Sequence, residues 1–391
     1  MLETEAQADG THLFLMDDTG ILFSEACQEI HVLNASATVI WCHLEDGKSS
    51  GEIASLLAET FDLSPADAEH YVSTALADWR RMGFLAGDQA NTPVAVEQDA
   101  PAKPLLPAWT DAPFVAERSY RLLSSRLRLR FTQPEQEAIV HPVLAHLEQE
   151  KAGPEQETLI DIITTPQGNV VYRDKKAEQG FLKIDELAPV AKGLVWYTAI
   201  LDHSFFLDIH AGVVRDENGC ILLPAPPGSG KSTLTAALVC AGFQFFSDEV
   251  ALLEEETFNV FPLPLALCFK DTGVEAISQF YPQVKTLPFH NRGDGKRVCY
   301  MPPPAHSALA DTSPQPVKAL VFPSYLPDAT TKLDRLEPLD ALKLLMDQCL
   351  VIDKQLDREK VAGMIDWVLG MSSYRLTYSN TDEAVARIKS L

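Results

Sequence analysis

The sequence predicts an α/β core preceded by a small α+β, winged-helix-like unit, and three observations predict it. An apolar strand-like run, Cys220-Ile-Leu-Leu223, leads into a glycine-rich loop and then a helix-forming run, Thr233–Cys240. Residues 12–86 read as a hairpin followed by three short amphipathic helices. Between them, 87–107 is rich in Pro, Ala and Gln, which marks a semi-rigid linker. The expected division is 1–88, a linker over 89–107, and 108–391. The last part holds accessory strands and helices (108–205), a central core (206–330) and a helical end (331–391).

In the core, the loop reads Ala225-Pro-Pro-Gly-Ser-Gly-Lys231-Ser232 and runs into Thr233. It fits G-x-x-x-x-G-K-[ST], the Walker A phosphate loop, with Ala225 at the first glycine position. Such a loop turns successive backbone N–H groups inward on a polyphosphate, which demands small residues; Gly228, Ser229 and Gly230 supply them. Lys231 would reach the β- and γ-phosphates of ATP or GTP, and the Ser232 hydroxyl would ligate Mg²⁺. A helix opening at Ser232-Thr233 adds its positive end to the same anion site. Asp216-Glu-Asn-Gly219 supplies the turn before the first strand, and Gly242 the helix stop. A second apolar strand, Phe243–Phe246, delivers Ser247-Asp248-Glu249 at its end, where acids hold Mg²⁺ or act as a base. His210 lies upstream in an apolar run, Phe206–Val214.

This order of His-bearing strand, phosphate loop, helix, strand and paired acids resembles the HPr serine kinase/phosphorylase family, and most of all its related branch carrying P-P-G-S-G-K-S-T and S-D-E. Phosphoenolpyruvate carboxykinase has a related loop. ABC ATPases also read G-S-G-K-S-T, but no L-S-G-G-Q-like helix start follows here. The resemblance implies a kinase fold and a role for each residue. Lys231 and Ser232 match the phosphate and Mg²⁺ residues, and Asp248 the acid that takes the proton from the substrate hydroxyl. Glu249 matches the second, metal-side acid, where the family has Asp. His210 matches a histidine near the transferred phosphate. From the residues alone, Asp248 also reads as a helix cap and His210 as a satisfied core histidine. In His290-Asn-Arg-Gly-Asp-Gly-Lys-Arg297, Arg292 and Lys296 are placed to grip phosphate or substrate, yet Asp294-Gly295 equally signals a hairpin turn. The family's Gly-rich phosphorylase signature is missing, so reverse phosphorolysis is not expected.

Composition narrows the partners. Of the net charge of −23, −15 falls in residues 1–100, where 18 Asp/Glu face 3 Lys/Arg. No extended basic face exists for nucleic acid, and no apolar run approaches the ~20 residues that span a bilayer. Seven scattered cysteines without a C-x-x-C pair, and an acidic start lacking a basic leader region, point to reduced thiols, a cytoplasmic address and no zinc site. An acidic first unit attracts a basic peptide or protein surface, although solubility alone accounts for it equally.

That first unit is legible in detail. His12–Met16 and Ile21–Phe23 flank the turn signal Asp17-Asp-Thr-Gly20. Asn34 caps a helix through Ile40, Trp41 and Leu44. Ser50 starts a second, and Ser64-Pro65 opens a third with Ala68, Val72, Leu76 and Trp79 on one face. With Leu33-Asn-Ala-Ser-Ala-Thr-Val-Ile-Trp41, Ile53-Ala-Ser-Leu-Leu and the Trp79–Leu85 ending, residues 12–86 resemble the PqqD-like family. That resemblance implies capture of a leader peptide as an added strand on the hairpin edge around Ile21–Phe23, beside the third helix. A DNA-binding winged helix is disfavoured by the charge.

Between linker and loop, strands are expected at Arg126–Phe131, Leu159–Ile163 and Gly168–Tyr172, with helices over Glu135–Glu150 and Asp185–Asp202. After a buried strand, Ala319–Phe322, the end of the chain reads as mostly helical. The whole predicts an ATP- and Mg²⁺-dependent kinase whose acceptor is a Ser or Thr of a ribosomally made precursor peptide held by residues 1–88, in a protein able to form homo-oligomers as related kinases do. A kinase with a small-molecule or other protein acceptor, and a non-catalytic nucleotide-dependent binder or chaperone, are the alternatives.

Overall fold

The computed structural model describes residues 6–16, 19–86, 105–150, 157–203, 205–307, 312–350 and 355–391. Half of the expected hairpin turn (Asp17, Asp18) and the linker residues 87–104 lie outside them. The chain runs β1 (Thr11–Met16), β2 (Thr19–Ser24), β3 (Glu29–Val32), α1 (Ala35–Glu45), α2 (Ser50–Phe61), α3 (Pro65–Arg81), β4 (Ala116–Leu122), β5 (Ser125–Phe131) and α4 (Pro134–Leu144). It continues through β6 (Thr158–Thr165), β7 (Gly168–Arg173), β8 (Lys176–Leu182), α5 (Leu187–Leu201), β9 (Leu207–Ile209), β10 (Ala211–Asp216), β11 (Gly219–Pro224), α6 (Lys231–Cys240) and β12 (Gln244–Ser247). Then come β13 (Ala251–Leu253), β14 (Val260–Phe261), β15 (Leu267–Lys270), α7 (Val274–Ser278), β16 (Phe289–Asn291), β17 (Arg297–Met301) and β18 (Val317–Tyr325). Last are β19 (Lys332–Arg335), α8 (Pro338–Met346), β20 (Cys349–Leu350), α9 (Arg358–Gly370), β21 (Ser372–Tyr378) and α10 (Thr381–Lys389).

Two compact units result. The first is Met1–Lys103 with Asp353–Gly370. Its strands form an antiparallel meander, β1-β2-β3, and its three helices start where capping chemistry places them. The Asn34 side chain accepts from the Ala37 N–H, Ser49 and Glu52 close a capping box, and Ser64 caps ahead of Pro65. Leu22 packs into a core with Leu57, Leu76, Trp41 and Trp79, the two indoles meeting edge-on at 5.0 Å. Here the sequence reading needs correction. Ile21, Leu22 and Phe23 are fully buried in the middle strand, paired on both sides, so this segment is no docking edge. Three consecutive apolar residues signal a strand covered on both faces.

The second correction concerns boundaries. The segment holding α9, assigned from sequence to the helical end, belongs to the first unit. The Gln28 amide donates to the Leu356 carbonyl and accepts from the Leu356 N–H, and the Arg358 N–H donates to Glu25. Contacts across more than 300 residues leave no local pattern to read.

The second unit, Pro104–Ile352 with Met371–Leu391, is built on a mixed six-stranded sheet of order β12-β10-β11-β18-β21-β19. β11, β18 and β21 run parallel, and β12 runs with them because both neighbours of β10 are antiparallel to it. The expected helical end is therefore partly sheet: β19 and β21 join the core. Leu376 and Tyr378 are buried while Arg375 before them and Thr377 between them are not, a short period-two pattern among polar residues that masked the strand. Helices α6 and α10 cover one face through Leu234, Leu238, Val385 and Ile388.

A second sheet, β4-β5-β6-β7-β8, packs with α4 and α5 in its own core. α4 gives way to a short 3₁₀ turn at Ala145, shortly after Pro142. On β5, Arg128 pairs with Glu157 and Arg130 with Asp161, so these arginines are engaged within the sheet. No helix among the described residues is long and apolar enough to cross a membrane.

Candidate functional site

The carboxyl ends of β11, β12, β18 and β21 converge at one edge of the six-stranded sheet, the edge where open α/β sheets place ligands. The glycine loop leaves β11 there and enters α6, whose first residue is Lys231, with Gly230 as cap; the helix starts one residue earlier than the sequence suggests. Gly228 and Gly230 sit at φ +96° and +85°, where L side chains are strained. A Cβ on Gly230 would also stand 2.5 Å from the Tyr378 hydroxyl, so packing and backbone both disfavour any other residue. The loop is braced from behind. The Tyr325 N–H donates to the Ser229 carbonyl, and the Tyr378 hydroxyl to that of Gly230.

The predicted residues meet here. A lobe of about 300 Å³ is lined by Gly228, Gly230, Lys231, Ser232, Thr233, Asp248, Glu249 and His210, together with Arg292 and Lys296. His210 follows β9 directly, and its Nε2 lies 3.0 Å from the Lys231 ammonium. Because an ammonium only donates, Nε2 accepts, and His210 is neutral. Burial lowers the His210 pKa, and Lys231 beside it pushes the same way. Burial also lowers the Lys231 amine, opposed by Asp248 and Glu249.

Asp248 directly follows β12 and is buried. Burial pushes its pKa up to about 6, against the pull of Lys231. One oxygen accepts weakly from the Cys268 N–H, and Oδ1 has no protein partner. The buried Ser229 hydroxyl is likewise unpartnered. Orphaned polar atoms beside a glycine loop that opens into a helix N-terminus fit a bound phosphate and cation. Among the described residues no three His, Cys, Asp or Glu side chains gather as a metal cage. A Mg²⁺ ion fits nonetheless, since it takes one or two protein oxygens and completes its shell from phosphate and water. Ser232 and Asp248 are the available donors.

Glu249 is differently engaged. Its carboxylate is held 2.9 Å from Lys192, which is 4% exposed and also lies over the Tyr300 ring. Desolvation would raise the Glu249 carboxyl, and Lys192, with Lys231 and Arg292, more than offsets it, leaving it below its ordinary value. Lys192 escaped the sequence reading. Its signal was a lone charge in the apolar helix α5, Leu-Ala-Pro-Val-Ala-Lys-Gly-Leu-Val-Trp, which only a partner inside the fold explains. Arg292 and Lys296 flank the turn between β16 and β17, both paired to Asp294 while facing the lobe, so the hairpin and the cationic lining coexist.

A larger lobe of about 690 Å³ opens beside the first, and His210, Glu249 and Arg292 line both. In the first unit, a separate groove of about 650 Å³ runs between β3 and α3, lined by His31, Leu33, Tyr71, Ala75 and Trp79.

Residues 12–85 match the family model described as coenzyme PQQ synthesis protein D, PqqD, so the first unit is PqqD-like. Among solved structures, TbiB1 in complex with the TbiA(beta) leader peptide is 21% identical, with a TM-score of 0.21, covering 22% of this chain and 98% of that one. Lasso peptide synthetase B1 complexed with the leader peptide is 20% identical, with a TM-score of 0.21, covering 22% and 100%. The Hpr(Ser) kinase/phosphatase from Coxiella burnetii is 14% identical, with a TM-score of 0.22, covering 46% and 91%. No curated protein matches the chain.

Proposed function

We propose that this protein is an ATP- and Mg²⁺-dependent kinase that phosphorylates a Ser or Thr hydroxyl of a ribosomally made precursor peptide recruited by its PqqD-like unit. The observation that carries this reading is the convergence of Lys231, Ser232, Asp248 and His210 on one lobe at the carboxyl ends of parallel strands. The loop and the α6 N-terminus cradle the phosphates, and Lys231 neutralises them. Ser232 and Asp248, with Glu249 nearby, would hold Mg²⁺, which would supply neutralising charge to the phosphate oxygens. Asp248, ionised above about pH 6, accepts the acceptor's proton. The acceptor oxygen forms a bond to the γ-phosphorus as its bond to the β-bridging oxygen breaks, and ADP leaves. Neutral His210 donates no competing charge and holds the Lys231 ammonium in place.

Mixing the full chain with ATP, Mg²⁺ and any small precursor peptide found encoded beside its gene tests the reading. Phosphate on a Ser or Thr of the peptide supports it. Phosphate only on a small-molecule hydroxyl makes it a small-molecule kinase, and nucleotide binding without transfer to anything makes it a non-catalytic binder. Lys231→Ala is expected to weaken ATP binding about 10- to 150-fold by calorimetry, the worth of a charged hydrogen bond of about 1.5–3 kcal/mol. Unchanged affinity would remove this loop from nucleotide binding.

The peptide's place follows from the corrected edge. Among the described residues β3 pairs only with β2, and its open side faces the groove beside α3. The Leu33 N–H donates inward to Gly20, so alternation turns the N–H groups of Ile30 and Val32 outward. Val32→Pro deletes one outward donor and spares the ladder. Leader affinity is expected to fall about 5- to 10-fold with the far-UV spectrum unchanged; undiminished affinity would place the peptide elsewhere.

A further inference from the structure

The 690 Å³ lobe is far larger than a Ser or Thr side chain requires, and its walls are selective. Val190, Leu194 and Trp196 from α5, with Leu265 and Tyr300, make it apolar and aromatic. Its charged lining is four acids (Glu178, Glu186, Glu249, Asp294) against two bases (Lys192, Arg292). Both bases are already occupied, Lys192 by Glu249 and Arg292 by Asp294 at 2.9 Å each. Glu178 is held by Arg173, and Glu186 accepts from the Lys183 N–H. An acidic group entering this lobe would lose water, meet no free cation among these residues and face a net negative wall. An apolar side chain would exchange water for Leu194, Trp196 and Tyr300.

We propose that this lobe is the acceptor subsite, and that it selects an uncharged peptide segment in which the hydroxyl residue adjoins a bulky aliphatic or aromatic residue. The inference rests on the kinase reading above and narrows its substrate. The shared lining supplies the geometry. A segment seated in the larger lobe passes His210, Glu249 and Arg292 to reach the lobe that holds Lys231 and Asp248. The hydroxyl then projects into the smaller lobe while its neighbour fills the larger one.

The test uses the full chain and capped pentapeptides with a central Ser, flanked on either side by Leu, by Gly or by Asp. With ATP and Mg²⁺ below peptide saturation, kcat/KM is expected to be about 10- to 100-fold higher for the better Leu-flanked peptide than for the Gly-flanked one, the worth of burying one such side chain. The Asp-flanked peptides are expected to be slowest. Trp196→Ala is expected to shrink the Leu preference by about 5-fold or more. Calorimetry with the same peptides carrying Ala for Ser reads the lobe without chemistry. The same affinity order with no phosphate transfer upholds the ligand class while the kinase reading falls. Equal rates and affinities for Leu and Gly flanks overturn this inference and leave the kinase reading standing. A preference for Asp overturns it as well.

Discussion

Asp248→Asn is expected to leave ATP binding within a few-fold of wild type and to slow phosphoryl transfer about 10²–10⁴-fold, the usual worth of a general base. The amide keeps the shape and the Cys268 contact but cannot take a proton. Single-turnover transfer with the peptide measures it, and a rate near wild type would assign Asp248 to structure alone. The same residue sets a pH limb. Its carboxyl, raised to about 6 by burial, is ionised above that value and protonated below it. In the protein free of Mg²⁺ and nucleotide this proton competes with the cation, so Mg²⁺-dependent ATP binding should weaken as pH drops through about 6. The stability sign is opposite. The folded protein holds this proton more tightly than the unfolded chain, so stability from Asp248 is present at low pH and lost as pH rises through about 6. Asp248→Asn should therefore be neutral or stabilising at pH 7 while inactive, a pairing that a merely structural residue would not give.

Lys192→Met should be strongly destabilising. It strips the partner from Glu249 in a poorly solvated position, and breaking a buried pair costs about 3–5 kcal/mol. Because the Glu249 side chain is 35% exposed, the low end is expected. Glu249→Gln strands the deeply buried ammonium instead and should cost at least as much. The double variant removes both charges and should regain much of the loss, so the cycle yields a coupling of about 2 kcal/mol or more in urea unfolding. Additive losses would mean that the two side chains are neighbours without interaction. Transfer rates should follow the same pattern, since an uncompensated Glu249 carboxylate beside Asp248 and Lys231 disturbs both.

Local chemistry made much of this protein readable. Asn34, Ser49 and Ser64-Pro65 start helices because a side-chain oxygen satisfies a free N–H within three residues. Gly228, Gly230 and Lys231 shape the loop through backbone freedom and charge that no distant contact needs to supply. The acids Asp248 and Glu249 followed from the strand that ends beside them. Such features depend on spacings of a few residues, and the sequence by itself determined them.

The rest waited on long-range packing. Ile21–Phe23 lies at the sheet's centre and β3 at its edge because pairing order is a property of three strands together, which no single strand encodes. β21 enters the main sheet beside β18, and Tyr378 and Tyr325 then brace a loop that lies some 100–150 residues earlier. α9 joins the first unit across more than 300 residues. Lys192 becomes part of the site only when α5 sets its buried amine against Glu249. Caps, turns and the loop are decided by forces that act within one turn of chain. Strand order, ion pairing and the lining of a cleft are decided by which surfaces leave water together, and only the tertiary structure makes that choice.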